Sequence, residues 1–434
     1  MEILDDPRFV VAPVPDADEG VAWLRAHVAR FSEGIEHERR RALTLSLLDA
    51  IEPSSLRRPG HPVATLAEAM GLPRATAADI EVVTACYQPH EPVTAEADAA
   101  VARLVAVAGN AWDEATAARI GILIQACAAT RSMIAGNEPP VPATRRISPA
   151  GKEIVVSLEG GPFGAGRHEC PGRDHALALA EGARSFRELH RADDPLLLPG
   201  AWDFASAAAF VRQGFRAVGT TSLGVAAAHG LPDADGATHG ETIALAKSLV
   251  RLPVPVSIDV EGGFDLDPAS LAAELTTIGV AGVNIEDGRG SDLVSMDQQS
   301  AAISAIKSAA PELFVNARVD TYWLGVSAAD TTRRAMAYAE AGADGVFIPG
   351  LRDRKLIAEL VESLGEVPLN LLAELPLQQL RDLGVRRVST GSLPFRAALT
   401  QAVSTVDIYR SGGSVPEAMS YEEAEGLCRV GVAE

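Results

Sequence analysis

Two kinds of hydrophobic rhythm divide the chain. Between residues 20 and 135, apolar side chains recur three or four positions apart in VAWLRAHVARF, HERRRALTLSLLDAI, EADAAVARLVAVAG and DEATAARIGILIQACAATRSMIA. That spacing lays an apolar stripe along one helix face, so this region is expected to be helical. Breaks containing Pro or Gly at 57–62, 88–92 and 136–144 separate the helices. A short extended stretch, KEIVVSL (152–158), then leads into GGPFGAGRHECPG (160–172), a further helix, and HRADDP, which reads as a linker.

After residue 195 the rhythm changes. Short apolar runs stand at 196–200, 215–221, 255–261, 281–287, 313–320, 344–350, 367–374 and 385–392, with amphipathic helical windows between them. Strands alternating with helices predict a parallel sheet with helices packed outside it. Eight such units predict closure into a (β/α)8 barrel of TIM type, with its chemistry at the C-terminal strand ends. An open, doubly wound sheet is the alternative. The expected fold class is α/β: a smaller, mainly α-helical domain over 1–190, then the barrel over 191–434.

Charge narrows the function. The 434 residues carry 38 Lys and Arg against 58 Asp and Glu, a formal net charge of −20. Cut at residue 190, the chain has 19 basic and 26 acidic residues before the cut, and 19 and 32 after it. Neither half is basic, so no nucleic-acid partner is expected. No apolar run reaches the roughly 20 residues of a membrane span. The acidic start, MEILDDPRFVV, is unlike a secretory leader, so a cytoplasmic location without a membrane partner is expected. Cys86, Cys127, Cys170 and Cys428 are too few and too scattered for a disulfide framework.

The strand ends of the barrel hold polar residues that packing does not explain. Asp259 and Glu261 alternate at the end of the third strand and share one face, with Gly262 and Gly263 after them. Glu286 and Asp287 end the fourth strand, and Asn316, Arg318 and Asp320 alternate along the fifth. Trp202, Asp203 and the run from Thr221 to Gly224 come from the first two. Carboxylates converging on one mouth repel unless a cation neutralises them, and an all-oxygen donor set favours Mg2+. Arg318, facing the same cavity, offers a fork for a substrate carboxylate. Asp203, Asp287 and Asp320 are equally well read as helix caps or structural partners of Arg.

At this point a family likeness emerges. Residues 196–410 resemble the phosphoenolpyruvate mutase/isocitrate lyase superfamily through LPGAWDFASA, TTSLGVAAAHGLPDADG, SIDVEGGF, VNIEDG, NARVD, YAEAGADGVFIPG and VSTGSLPFRAAL. The resemblance implies that Asp259, Glu261 and Glu286 hold Mg2+ directly or through water. It implies that Arg318, with Trp202, Asn316 and the Ser222–Leu223–Gly224 loop, binds the substrate, and that Asp233 is a further catalytic acid beside Glu286 and Arg318. It implies a lyase, decarboxylase or hydrolase that cleaves a C–C or C–P bond of a small α-oxo or hydroxy acid through an enolate. Members commonly exchange their last helix, here near 394–410, so a dimer or tetramer is expected. Lyases of the superfamily carry a Lys-Lys-Cys-Gly lid after strand four. Here that loop reads DGRGSDLVSMDQ (287–298), without Cys or Lys. The mutases' longer gating loop is also missing, so the general acid is unassigned. The rival class is a non-catalytic barrel that binds such an acid.

A second resemblance lies in the first domain. FGAGRHECPG (163–172) is a Gly-rich approach that turns backbone N–H groups toward the Cys170 sulfur, as a thiolate ligand of haem iron requires. It resembles the haem-ligand loop of cytochrome P-450 proteins. That likeness implies Cys170 as iron ligand, His37 and Arg41 in FSEGIEHERRR as propionate contacts, Arg145 or Arg146 in PPVPATRRIS as another haem-site arginine, and Thr130 as the oxygen-side threonine. The domain is under half the length of a complete member and lacks the Glu-x-x-Arg brace and the acid before Thr130. A monooxygenase, a non-oxygenating haem or sensory domain, and a haem-free remnant are the three readings.

Overall fold

The computed structural model describes residues 2–134, 136–192 and 194–430. The chain divides into two compact units, Met1–Arg184 and Ser185–Glu434.

In the first unit, the amphipathic stripes become helices around one core. The helix Glu114–Ile134 runs through it and buries Ile120, Leu123, Ile124 and Cys127. Around it pack Gly20–His27, Pro62–Ala69, Thr76–Ala85 and Ala95–Ala108. Trp23 and Leu24 are fully enclosed. Thr94 caps the Ala95–Ala108 helix by accepting a hydrogen bond from the Ala97 amide at 3.1 Å. The extended stretch at 152–158 forms a strand, but it does not stand alone. Strand β1 (Ala143–Ile147) pairs antiparallel with β2 (Glu153–Ser157), Ala143 opposite Ser157. β1 was hidden in a segment whose prolines read only as a break.

The second unit is the barrel. Its strands are β3 (Leu196–Leu198), β4 (Gly200–Ala201), β5 (Val218–Thr220), β6 (Val256–Asp259) and β7 (Gly282–Glu286). A small antiparallel hairpin, β8 (Gly288–Arg289) with β9 (Asp292–Leu293), follows β7. β10 (Phe314–Arg318), β11 (Gly345–Phe347), β12 (Leu369–Leu372) and β13 (Arg387–Ser389) complete the set. The large sheet is parallel throughout, in the order β3-β13-β12-β11-β10-β7-β6-β5-β4. β3 and β4 are one strand interrupted at Pro199, so the order closes on itself as the eight predicted units require. Side chains that cap the outer helices come at the ends of the strand-to-helix loops. Asp203, Asp267, Ser295 and Asp353 each accept a backbone N–H of the helix that follows.

Phe186, Phe314, Leu196, Ala217 and Ala281 fill the N-terminal end of the barrel. His190 stacks on Phe314 with ring centroids 4.2 Å apart. Gly282 is required there, because a Cβ would stand 2.7 Å from the Phe186 ring. Phe186 and His190 explain why the units divide after Arg184, inside the helix Arg173–Leu189 and ahead of the seam expected near 190. The last turn of that helix is floor for the barrel rather than linker. With one end plugged, only the C-terminal mouth is open for chemistry.

Candidate active site

The mouth is built from alternating strand positions. Asp259 on β6, Glu286 on β7 and Arg318 on β10 all point inward, and all are buried. Register makes Glu286 the direct neighbour of Arg318. An Arg318 Nη1–Glu286 Oε2 contact of 2.6 Å joins them, while Asp259 Oδ2 lies 3.8 Å from the same nitrogen. The other arm of Arg318 is held by Asp320 at 3.0 Å. Arg318 thus occupies the centre of the acidic cluster. Among the described residues, no three His, Cys, Asp or Glu side chains converge on a single metal position as they stand.

One guanidinium does not balance this cluster. Burial pushes Glu286 up to about 8 against the pull of Arg318, with the charges of Asp259, Asp320 and Asp233 adding to the rise. Burial likewise pushes Asp259 up to about 6, and Asp233 and Glu261 add to that. Burial disfavours the Arg318 cation, but the charges of Asp320, Glu286 and Asp259 overcome it and raise its pKa. Asp233 Oδ1 is buried without a hydrogen-bond partner. An excess of buried carboxylate with an orphaned oxygen is the environment a hard divalent cation relieves, so the residues fit Mg2+.

Glu261 has a different placement from its neighbours. Its backbone takes a φ of 50°, a left-handed conformation costly for a residue with a Cβ. That turn points its carboxylate at the loop after β5, where it accepts from the Gly236 amide at 2.8 Å and from Thr238 Oγ1 at 2.6 Å. Both oxygens are therefore engaged in anchoring the loop that carries Asp233. Thr238 is fully buried and was not foreseen; nothing in its local sequence marks it, since its partner lies on another strand.

The remaining candidates fall into layers. Ser222, Leu223 and Gly224 form the first turn of the helix Ser222–His229, where backbone N–H groups lack intrahelical acceptors and favour an anion. Trp202 is half-buried, with its ring 5.4 Å from that of Phe395 in an edge-on pair. Asn316 lies a layer deeper than Arg318, buried and bonded to Asn284 at 2.8 Å. Asp203 caps the helix Phe204–Arg212. Asp287 is enclosed and accepts from the Asp320 amide, Tyr338 Oη and Arg334 Nη1 at 2.8, 2.7 and 2.9 Å. These are the structural roles that the sequence left open for both acids. In the short β8–β9 lid, Arg289 donates to the carbonyls of Glu286, Gly288 and Gly262. Gly262 is needed for this clamp, because a Cβ there would overlap the guanidinium.

The first unit has its own concavity, of about 590 Å3. Its wall includes His37, Arg41, Arg145, Arg146, His168 and Cys170 together with apolar residues such as Ile122 and Leu179. Burial pushes the Cys170 thiol up, while a hydrogen bond from the Gly172 amide works the other way. Arg41 donates to the Glu169 carbonyl at 2.8 Å, and Arg145 pairs with Glu153 across the hairpin. The rings of His37 and His168 lie 4.3 Å apart. Burial lowers both, His168 to about 4. Thr130 departs from expectation. Its hydroxyl donates to the Ala126 carbonyl at 2.6 Å, and it is absent from the cavity wall, because a helix threonine satisfies itself on the preceding turn.

The phosphoenolpyruvate phosphomutase family model matches residues 186–408, just over half the chain and within the barrel unit. An uncharacterised protein of Mycobacterium tuberculosis is 44% identical over 246 residues, covering 56% of this chain and 95% of its own length. A 2-methylisocitrate lyase of Bacillus subtilis is 33% identical over 261 residues, covering 55% of this chain and 85% of its own. A crystal structure of a candidate lyase/mutase from Burkholderia cenocepacia superposes with a TM-score of 0.52 at 31% identity, over 56% of this chain and 94% of that one.

Proposed function

The chain belongs to the phosphoenolpyruvate phosphomutase family and is an enzyme of its lyase superfamily, and from that premise we propose a Mg2+-dependent barrel that cleaves a C–C or C–P bond of a small α-oxo or hydroxy acid. The observation that carries this reading is the cluster of Asp233, Asp259, Glu286 and Asp320 around the single guanidinium of Arg318. Asp259 and Glu286, with Asp233 beside them, would hold Mg2+, which supplies Lewis-acid polarisation of the acid's oxygens. Arg318 orients the carboxylate through its planar fork. The first-turn amides of Ser222, Leu223 and Gly224 fix the other end of that carboxylate. Glu261 and Thr238 hold the loop in place, and the Arg289-clamped lid covers the exit of β7. Breaking a bond next to the oxo carbon leaves its electron pair as an enolate, whose negative charge a bound Mg2+ and Arg318 would offset. Calorimetry with Mg2+ and oxalate tests the reading. Binding of oxalate only in the presence of Mg2+ is expected, and binding independent of metal would overturn it.

For the first unit we propose a haem-type ligand held without oxygenation. The cavity supports this: a thiol and a set of cations share the wall of one apolar chamber. Arg41 and Arg146 have no carboxylate partner among the described residues, which suits a ligand with an apolar body and anionic arms. Cys170 would ligate the iron, with His37, Arg41 and Arg146 at the propionates in place of Arg145, which Glu153 already holds, and bound haem would supply ligand binding at iron. The test is haem reconstitution followed by reduction under CO; a protein that retains no haem refutes the assignment.

We also propose a homo-oligomer through the helix Leu393–Arg410. It buries Phe395 but exposes Leu399, Val403 and Val406 by 52%, 66% and 67%, a stripe at helical spacing. Sedimentation of Val403→Asp against wild type is expected to show a smaller particle.

A further inference from the structure

Building on the lyase reading, we propose that Asn284 is the amide donor that the barrel presents to an oxygen of the bound acid, and that Arg387, buried beneath it, is the positioning residue that aims it. Register places Asn284. It stands on β7 beside Asp259 of β6 and Asn316 of β10, two residues before Glu286. Alternate positions of a strand share one face, so its side chain enters the barrel on the same side as Glu286. Arg387 fixes which way the amide turns. A guanidinium has only donors, so the 3.0 Å contact from Arg387 Nη2 ends on the Asn284 oxygen. The Asn316 group that meets the same oxygen, at 2.8 Å, must then be its Nδ2. Two donors therefore hold the Asn284 oxygen, and its NH2 is turned away from them.

That NH2 makes no hydrogen bond among the described residues and still reaches solvent, whereas Asn316 Oδ1, Asn370 Oδ1 and Arg387 Nη1 are sealed without a partner. Phe186 and Phe314 plug the opposite end of the barrel, so the surface that Asn284 keeps opens toward the mouth. A free donor there suits a carboxylate or oxo oxygen of the acid that Arg318 orients. Asn316, expected from the family likeness to bind the substrate itself, acts through Asn284, because its oxygen is sealed and its nitrogen is spent. Arg387 is in turn held from the other side. It is fully buried without a carboxylate partner among the described residues, its Nε donates to Ser389 Oγ at 3.3 Å, and Asn370 Nδ2 donates to that hydroxyl at 3.0 Å. A hydrogen-bonded chain thus runs Asn316, Asn284, Arg387, Ser389, Asn370 through β10, β7, β13 and β12. An amide locked in this way is aimed before the ligand arrives, which spares the cost of ordering it on binding.

The test is calorimetry of oxalate, with Mg2+ in excess, on the full chain and its variants. Asn284→Asp keeps the oxygen that Arg387 and Asn316 hold and removes only the donor. Asn284→Ser removes the donor without adding charge. Each is expected to bind oxalate about 10-fold or more weakly than wild type, the worth of one hydrogen bond to a charged group. The melting temperature of Asn284→Asp should stay near that of wild type, because the buried bonds survive. Arg387→Lys is expected to weaken oxalate several-fold, and that loss should vanish in the Asn284→Ser background, as it must if Arg387 reaches the ligand only through Asn284. A role in packing alone would leave oxalate affinity unchanged in every folded variant. Unchanged affinity in Asn284→Asp, or a loss in Asn284→Asp that a folded Asn284→Ser does not share, overturns the donor. An Arg387→Lys loss that persists without Asn284 overturns the positioning role. Should Asn284→Ser not fold, the Asn284→Asp loss is read again at about 0.5 M salt, where charge repulsion is screened. Persistence supports the donor, and disappearance overturns it. These outcomes leave the lyase reading intact. If wild type shows no Mg2+-dependent binding of oxalate, the lyase reading falls, and the donor with it.

Discussion

The barrel mouth and the first unit's cavity are electrostatic opposites. At the mouth, carboxylates outnumber cations, and burial, with the charges of neighbouring acids adding to it, pushes Glu286 up to about 8. Around the cavity, arginines and histidines gather on an apolar wall, and burial pushes the histidines down, His168 to about 4. The mouth is short of cations, whereas the cavity wall also carries Glu153 and Glu169 and leaves Arg41 and Arg146 without a carboxylate partner among the described residues. On the proposed function, a hard cation would relieve the barrel's excess of carboxylate, and Arg41 and Arg146 would meet the anionic arms of an apolar ligand. A fold stabilises neither imbalance by itself, since unpaired buried charge costs free energy. The residues are therefore best understood as tuned for a partner.

Four outcomes would sharpen or break that contrast. The largest effects come from removing one charged or ligating group from each site. Asp259→Ala is expected to lower Mg2+-dependent oxalate affinity at least 100-fold, read by calorimetry, and unchanged affinity would mean that the acidic cluster does not hold the metal. Cys170→Ala is expected to abolish the thiolate signature in the absorbance of the reduced CO complex, and a spectrum that survives would remove Cys170 as ligand.

Acidity makes an intermediate prediction. Glu286 and Asp259 have folded pKa values above their ordinary 4.5 and 3.8, so the folded state holds protons that the unfolded chain has released. Their contribution to stability is complete below about pH 4 and is lost as pH rises toward 8. The melting temperature of metal-free protein should fall by several degrees across that window, and Mg2+ should restore more of it at pH 8 than at pH 5. A Mg2+ effect equal at both pH values would break the assignment. The smallest effect is expected from Thr238→Val, which leaves one Glu261 oxygen unpaired. About 1–3 kcal/mol of stability should be lost in denaturant titration, with KM raised more than kcat lowered.

Much of this was legible in the chain. The alternation of apolar runs and helical windows predicts every strand of the barrel, because a buried parallel strand must be almost continuously apolar. Asp259, Glu286 and Arg318 stand out because charged residues at strand ends have no packing explanation. Glu261 was grouped with them, since two-residue spacing places it on the same face. Its left-handed φ, invisible to a period-of-two argument, turns its carboxylate onto Gly236 and Thr238 instead. Strand β1 was concealed by the prolines preceding it, and Thr130 by a hydrogen bond to its own helix.

Local sequence determined the elements and the kind of chemistry, because helix and strand periodicity and the donor atoms of side chains are properties of short segments. Tertiary structure alone decided that the last turn of the helix Arg173–Leu189 becomes the floor of the barrel and that Arg318 sits amid the carboxylates. Those facts depend on which strands become neighbours. The closure of eight parallel strands brings together residues more than a hundred positions apart, such as Asn284 and Arg387 at 3.0 Å, and no local pattern encodes the resulting balance of charge.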